Sequence, residues 1–263
     1  MRTAALVGID GTGKTTVVRR IAELGNAGPG RVTVVHAIRP HEDPASPYAE
    51  LSRQLAVASA AADRIGRAQL KVAVLYLQLC LYGPAERRAT GPLLLADRHP
   101  LIDPLVYLPL YARIGVDEDP GPDPDRWWSA LPPPVAEPVR DWLRTCSGDT
   151  DGWALGGELI RLARKSPPDL LAELIRRFDV RLPDAVLLLD LPVAQALERA
   201  GARSADRPEL HETAAVLAAV RARYDTVFEW LGRDHPEVAV HRLDCYGRSV
   251  DDVTNAVLHT IRP

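Results

Sequence analysis

The stretch "GIDGTGKTT", Gly8 to Thr16, constrains this chain more than any other. Before it runs "TAALVG" (Thr3 to Gly8), short and apolar, which predicts a buried strand. After it runs "KTTVVRRIAELG", a predicted helix with Val17, Val18, Ile21, Ala22 and Leu24 largely on one face. Glycines in the connection let the backbone curl, so that several N–H groups point into one concavity that suits an anion. The following helix adds the positive end of its dipole. Gly8, Gly13, Lys14 and Thr15 satisfy the pattern Gly-x-x-x-x-Gly-Lys-[Ser/Thr]. Gly11, Thr12, Gly13, Lys14, Thr15 and Thr16 are therefore the candidate holders of a nucleotide's phosphates. Lys14 would reach the β- and γ-phosphates, and the Thr15 hydroxyl would ligate Mg²⁺.

Beyond this unit the chain alternates. "RVTVVHA" predicts a second strand, and helical stretches follow from Tyr48 to about Ile65 and from about Ala68 to Tyr82. "GPLLLADRHP" gives a third strand, Leu93 to Ala96, and Leu101 to about Ile114 reads as helix. "GVDEDPGPDPD" opens an insertion, residues 115–180, that reads as helix, loop, helix. "PDAVLLLDLP" is apolar throughout and predicts a central fourth strand. Helices at about Val193 to Ala202 and Glu209 to Leu231, a strand in "EVAVHRLD" and a helix from Val250 to Ile261 close the chain. Strands alternating with helices predict an α/β fold: a three-layer, doubly wound, five-stranded parallel sheet with ligands at the strands' carboxyl ends. The 263 residues fit one domain, 1–263, carrying the mostly helical insertion 115–180.

Composition narrows the partners. A net charge of −3 leaves no basic footprint for nucleic acid. No apolar run approaches the ~20 residues of a membrane span. The three cysteines lack metal-ligand spacing and read as reduced thiols. The amino terminus runs directly into the first strand, which predicts a cytoplasmic protein without a signal peptide.

Asp97 and Arg98 lie just past strand three. An Asp ending a strand beside a phosphate-binding loop is placed to hold the Mg²⁺ shell, and Arg98 to grip a phosphate oxygen. "ALERAGARSADRPEL" sets Arg199, Arg203 and Arg207 four residues apart, along one side of a helix. Such a row is either a solvated, partly paired face or a clamp on charge developing at a transferred phosphoryl group.

In order, these segments resemble the thymidylate kinase-like family of P-loop nucleoside and nucleotide kinases. "GIDGTGKTT" matches the phosphate loop with its internal acid, Asp10; "LLLADRHP" is similar to the Asp-Arg-aromatic motif; and "LLLDLPVAQALERAGARSADR" is similar to strand four and the arginine-bearing lid. "HETAAVLAAVRARYDTVFEWL" resembles the long helix after the lid, and "RLDCYGRSVDDV" the last strand, adenine-side loop and final helix. About 190 residues are covered, and the insertion lies outside. The resemblance implies the P-loop kinase fold and a Mg²⁺- and ATP-dependent kinase acting on a nucleoside or nucleoside-like small molecule. Asp10 would orient or deprotonate the acceptor hydroxyl, Arg98 would position the acceptor, and the lid arginines would close over the phosphoryl group.

The departures bear on the acceptor. Arg39 precedes Pro40 where the family usually has Glu, "YLQLCLYG" offers Gln78 where thymidylate kinases carry an Arg, and His99 replaces a Tyr. Arg39, Gln78 and His99 are the candidate acceptor-binding residues. A nucleoside monophosphate (thymidylate) kinase and a specialised-metabolism kinase with a sugar-like acceptor remain as alternatives. So do a nucleotide-binding switch or motor ATPase and a silent binding module. A homodimer is left open.

Overall fold

A computed structural model describes residues 1–25, 32–114, 119–201 and 213–262. The elements run β1 (Arg2–Val7), α1 (Lys14–Gly25), β2 (Val32–His36), α2 (Ala49–Ile65), α3 (Ala68–Leu79), α4 (Tyr82–Arg88), β3 (Leu93–Asp97) and α5 (Asp103–Ile114). Four helices follow: α6 (Asp123–Ser129), α7 (Pro133–Ser147), α8 (Gly152–Leu162) and α9 (Pro167–Phe178). The chain ends with β4 (Ala185–Asp190), α10 (Val193–Gly201), α11 (Ala214–Asp234), β5 (Ala239–Asp244) and α12 (Val250–Ile261).

Two compact units result. The first comprises Met1–Val35, Ala85–His99 and Arg181–Pro263. It holds a five-stranded parallel sheet in the order β2-β3-β1-β4-β5, with helices flanking it. β1, β3 and β4 are buried almost throughout, which explains why their sequences are continuous apolar runs rather than alternating ones. Register then positions the chemistry. Leu6 pairs with Asp97 and Val7 with Leu188, so the Gly8–Thr16 turn leaves the sheet beside the carboxyl ends of β3 and β4. α1 packs on α12, and Arg20 joins them at the surface through Asp251 at 2.9 Å.

The second unit comprises His36–Pro84 and Pro100–Val180. Its axis is α3, whose every residue except Leu75 is buried, as expected of a helix apolar all round. α8 approaches α3 closely because Gly156 has no side chain; a Cβ there would lie 1.8 Å from the Gln69 carbonyl oxygen. α7 and α6 pack on α2. Trp127 is fully buried and donates its indole N–H to the Ala58 carbonyl at 3.0 Å. Trp128 lies 4.4 Å from the Trp127 ring and carries the Arg140 guanidinium over its face at 4.6 Å. The tryptophan pair thus anchors the insertion.

Two local expectations differ from the structure. Among the described residues, 115–180 hold four helices rather than helix, loop, helix, because Pro133–Pro134 and Pro167–Pro168 start α7 and α9. Proline at a helix's first positions gives up an N–H that has no intrahelical partner anyway. The same reason allows α4, which the Gly83–Pro84 pair masked in the sequence. Among the described residues no helix is long and apolar enough to cross a membrane.

Candidate active site

The phosphate-loop candidates gather in the first unit at the end of β1. Gly8, Gly11 and Gly13 have φ of 149°, 90° and 91°, in the region that favours glycine. A Cβ on Gly11 would stand 2.0 Å from the Ala196 carbonyl oxygen of α10, whereas a Cβ on Gly13 would meet nothing within 4 Å. Gly11 is therefore fixed by packing as well as by conformation, and Gly13 faces open space at the foot of α1. Thr12 closes the turn, its hydroxyl donating to the Ile9 carbonyl at 2.9 Å.

Lys14 folds back over this loop. Its ammonium donates to the Gly8 and Ile9 carbonyls, both at 2.8 Å, and lies 3.8 Å from Asp10 Oδ1. Only 6% of the residue is exposed. Thr15, on the first turn of α1, donates its hydroxyl to Asp97 Oδ2 at 3.0 Å. The strand register produces this meeting of residues 82 positions apart. Arg98, next along, adopts φ 69°, a conformation that costs a non-glycine residue about 1–3 kcal/mol and recurs at functional sites. Its backbone N–H donates to the Leu6 carbonyl at 3.1 Å, and its Nη2 donates to Asp10 Oδ1 at 2.6 Å. Asp10, Lys14, Thr15, Asp97 and Arg98 thus form one charged cluster at the strands' carboxyl ends.

His99 follows but is wholly buried, and burial pulls its imidazole down to about 3. It is a neutral ring at ordinary pH. Arg199 is an exposed residue of α10 and lines a cavity of about 330 Å³ together with Gly11, Thr12, Gly13 and Thr16. The far wall is Cys245, Arg248, Ser249, Val250 and Val253. Arg203 and Arg207 lie outside the described residues. Arg39 and Gln78 belong to the second unit. Arg39 is exposed and precedes the 3₁₀ turn Pro40–Glu42. Gln78 is 5% exposed on α3, and its carboxamide has no hydrogen bond among the described residues.

One cluster escaped the sequence reading. Asp190, the last residue of β4, accepts from Arg221 at 2.8 and 3.0 Å and from Arg242 at 2.7 Å. The Arg221 hydrogen bonds, then Arg242, hold its carboxyl below the usual range. Arg242 reaches on to Asp225. This network ties α11 to the ends of β4 and β5, and the only local sign of it was a charge closing an apolar strand.

A parallel sheet with a glycine nest after β1, a hydroxyl–carboxylate pair at its lip and flanking helices is the P-loop kinase fold. No family model and no curated protein matches the chain by sequence. Solved structures match by shape. Deoxyadenosine kinase from M. mycoides, with dCMP and dCDP bound, aligns with TM-score 0.52 at 12% identity over 98% of each chain. The same enzyme with dCTP aligns with TM-score 0.50 at 13% identity, again over 98% of each. Thymidylate kinase from Candida albicans aligns with TM-score 0.52 at 13% identity, over 99% of this chain and 90% of its own. At such identities the likeness establishes a fold shared with these two kinases and nothing finer.

Proposed function

We propose that the protein is a Mg²⁺-dependent kinase that transfers the terminal phosphoryl group of a nucleoside triphosphate such as ATP to a nucleoside-like small molecule. The observation that carries this reading is the Thr15–Asp97 pair at the lip of the glycine nest. A hydroxyl and a carboxylate are hard oxygen donors, suited to Mg²⁺ held by few protein ligands with phosphates and water completing its shell. Thr15 and Asp97 would hold the ion, which would neutralise charge on the phosphates.

The chain's own residues supply the rest. Backbone N–H groups of Gly11 to Thr16 cradle the phosphates, and Lys14 adds a point charge inside the nest. Arg98 holds the Asp10 carboxylate in a fixed place, from which it orients the acceptor hydroxyl or accepts its proton. Arg199 faces the donor cavity, where a guanidinium stabilises negative charge as it redistributes during transfer. Gln78 is proposed on the acceptor side, through its buried carboxamide. A nucleotide switch or motor would turn over without an acceptor. The test is ADP release against a panel of nucleosides, nucleoside monophosphates and sugars. Release that depends on a nucleoside supports the reading, and equal release without any acceptor sinks it.

Arg39 separates the two acceptor readings. A monophosphate brings about two negative charges, which need cations if they are desolvated. If the acceptor is a monophosphate, Arg39→Ala raises its KM about tenfold or more, the worth of one charge-assisted hydrogen bond. With an unphosphorylated nucleoside, Arg39 has no anion to meet and the change is nearly silent. With Gln78 standing where thymidylate kinases carry an Arg, the unphosphorylated acceptor is the reading we favour.

A further inference from the structure

The cavity that begins at the glycine nest extends past Thr16 and Val17 to Cys245, Arg248, Ser249, Val250 and Val253. Its volume of about 330 Å³ falls within the range of small-molecule sites. With phosphates at the nest, the donor's base falls against the far wall, a placement that rests on the proposed kinase function. Val17, Val250 and Val253 offer apolar surface to a flat ring. The polar side chains of that wall are mostly committed elsewhere. The Ser249 hydroxyl donates to Asp252 Oδ2 at 2.6 Å in a helix cap. The Cys245 thiol, pushed by burial up to about 11, donates to the Leu243 carbonyl at 3.4 Å. No carboxylate lines the wall among the described residues.

Arg248 is the exception. Its Nη1 donates to the Asp244 carbonyl at 3.3 Å and its Nη2 to the Asp252 carbonyl at 3.1 Å. These two bonds orient the exposed guanidinium between the end of β5 and the first turn of α12. Each terminal nitrogen retains a second N–H that bonds to no other group among the described residues. A planar fork of donors matches two adjacent acceptors, as guanine offers at N7 and O6. Adenine offers N7 beside an amino group, so a donor fork meets one acceptor and one donor.

We propose that Arg248 reads the base of the phosphoryl donor and favours guanine, so that GTP serves as donor at least as well as ATP. Direct binding of the Mg²⁺ complexes of GDP, IDP and ADP, followed by calorimetry, tests this. In the parent, GDP binds at least as tightly as ADP, and IDP, which shares N7 and O6, behaves as GDP does. In Arg248→Ala the GDP/ADP affinity ratio falls by about tenfold or more, the usual worth of a bidentate base contact. Arg248→Lys keeps the charge but not the planar fork, and loses the ratio as well. A ratio within one protein is insensitive to a modest loss of fold, which a thermal melt records separately. Equal losses for all three nucleotides would assign Arg248 to the shared ribose or phosphates and overturn the proposal. ADP binding with GDP more than tenfold weaker in the parent would overturn it while leaving the donor site intact. Binding of none of the three would sink the donor site itself, and this inference with it.

Discussion

Lys14→Ala is expected to lower phosphotransfer by on the order of 10²-fold or more, about 2.7 kcal/mol of barrier. The ammonium sits inside the nest, 2.8 Å from the Gly8 and Ile9 carbonyls and 3.8 Å from Asp10, where a donor's phosphates would pass. On the proposed function, removing it takes away a positive charge that can follow a phosphoryl group as it leaves the donor. The variant is not a purely functional change, because the side chain is buried and braces two loop carbonyls. A loss of about 1 kcal/mol in unfolding free energy therefore accompanies the loss of activity, since two hydrogen bonds go while water enters to replace them. Steady-state kinetics with urea denaturation on the same preparation resolves the two effects. Near-parental turnover in a folded variant would remove the loop from the mechanism.

The sheet was legible because its signals are local. β4 reads as a strand from "AVLLLD" alone, and β1 and α1 are fixed by the motif between them. Asp97 and Thr15 were also legible, since each ends or begins an element whose identity was clear. The resemblance drawn from these motifs agrees with the fold shared with the deoxyadenosine and thymidylate kinases. What sequence could not show was contact across long separations. Arg98 was assigned to a phosphate, and its distance of 2.6 Å from Asp10 depends on the left-handed turn at residue 98. Asp190, Arg221 and Arg242 are 31 and 52 residues apart and share no local pattern. Prolines misled for a different reason. Pro133, Pro134, Pro167 and Pro168 lie within an insertion read as only two helices, yet they begin α7 and α9. Arg199 was named as one of three clamp residues, and it alone lies within the described part of the chain.

The second large effect is expected at Gly11, and a comparison with Gly13 isolates its cause. Both residues have φ near 90°, so alanine at either pays the conformational cost of a left-handed L-residue, about 1–2 kcal/mol. Gly11→Ala also drives a Cβ to 2.0 Å from the Ala196 carbonyl oxygen and 2.9 Å from the Ala196 Cα. Those are backbone atoms of a helix, which cannot swing aside as a side chain would. Either the loop or α10 must move, at a further cost of about 1–3 kcal/mol. Gly13→Ala meets nothing within 4 Å and should lose only the conformational part. Urea unfolding should thus rank the variants with Gly11→Ala the less stable by about 1–3 kcal/mol. The kinetic consequence follows from what α10 carries. Displacing the helix shifts Arg199, which lines the cavity at the nest, and on the proposed function a misplacement of about 1 Å costs on the order of 10²-fold in rate. Gly11→Ala should therefore lose activity through both the nest and the arginine, and conditions that restore its stability should not restore turnover. Equal stability of the two alanine variants would show that the loop yields freely at Gly11, and that the contact with Ala196 places neither the nest nor Arg199.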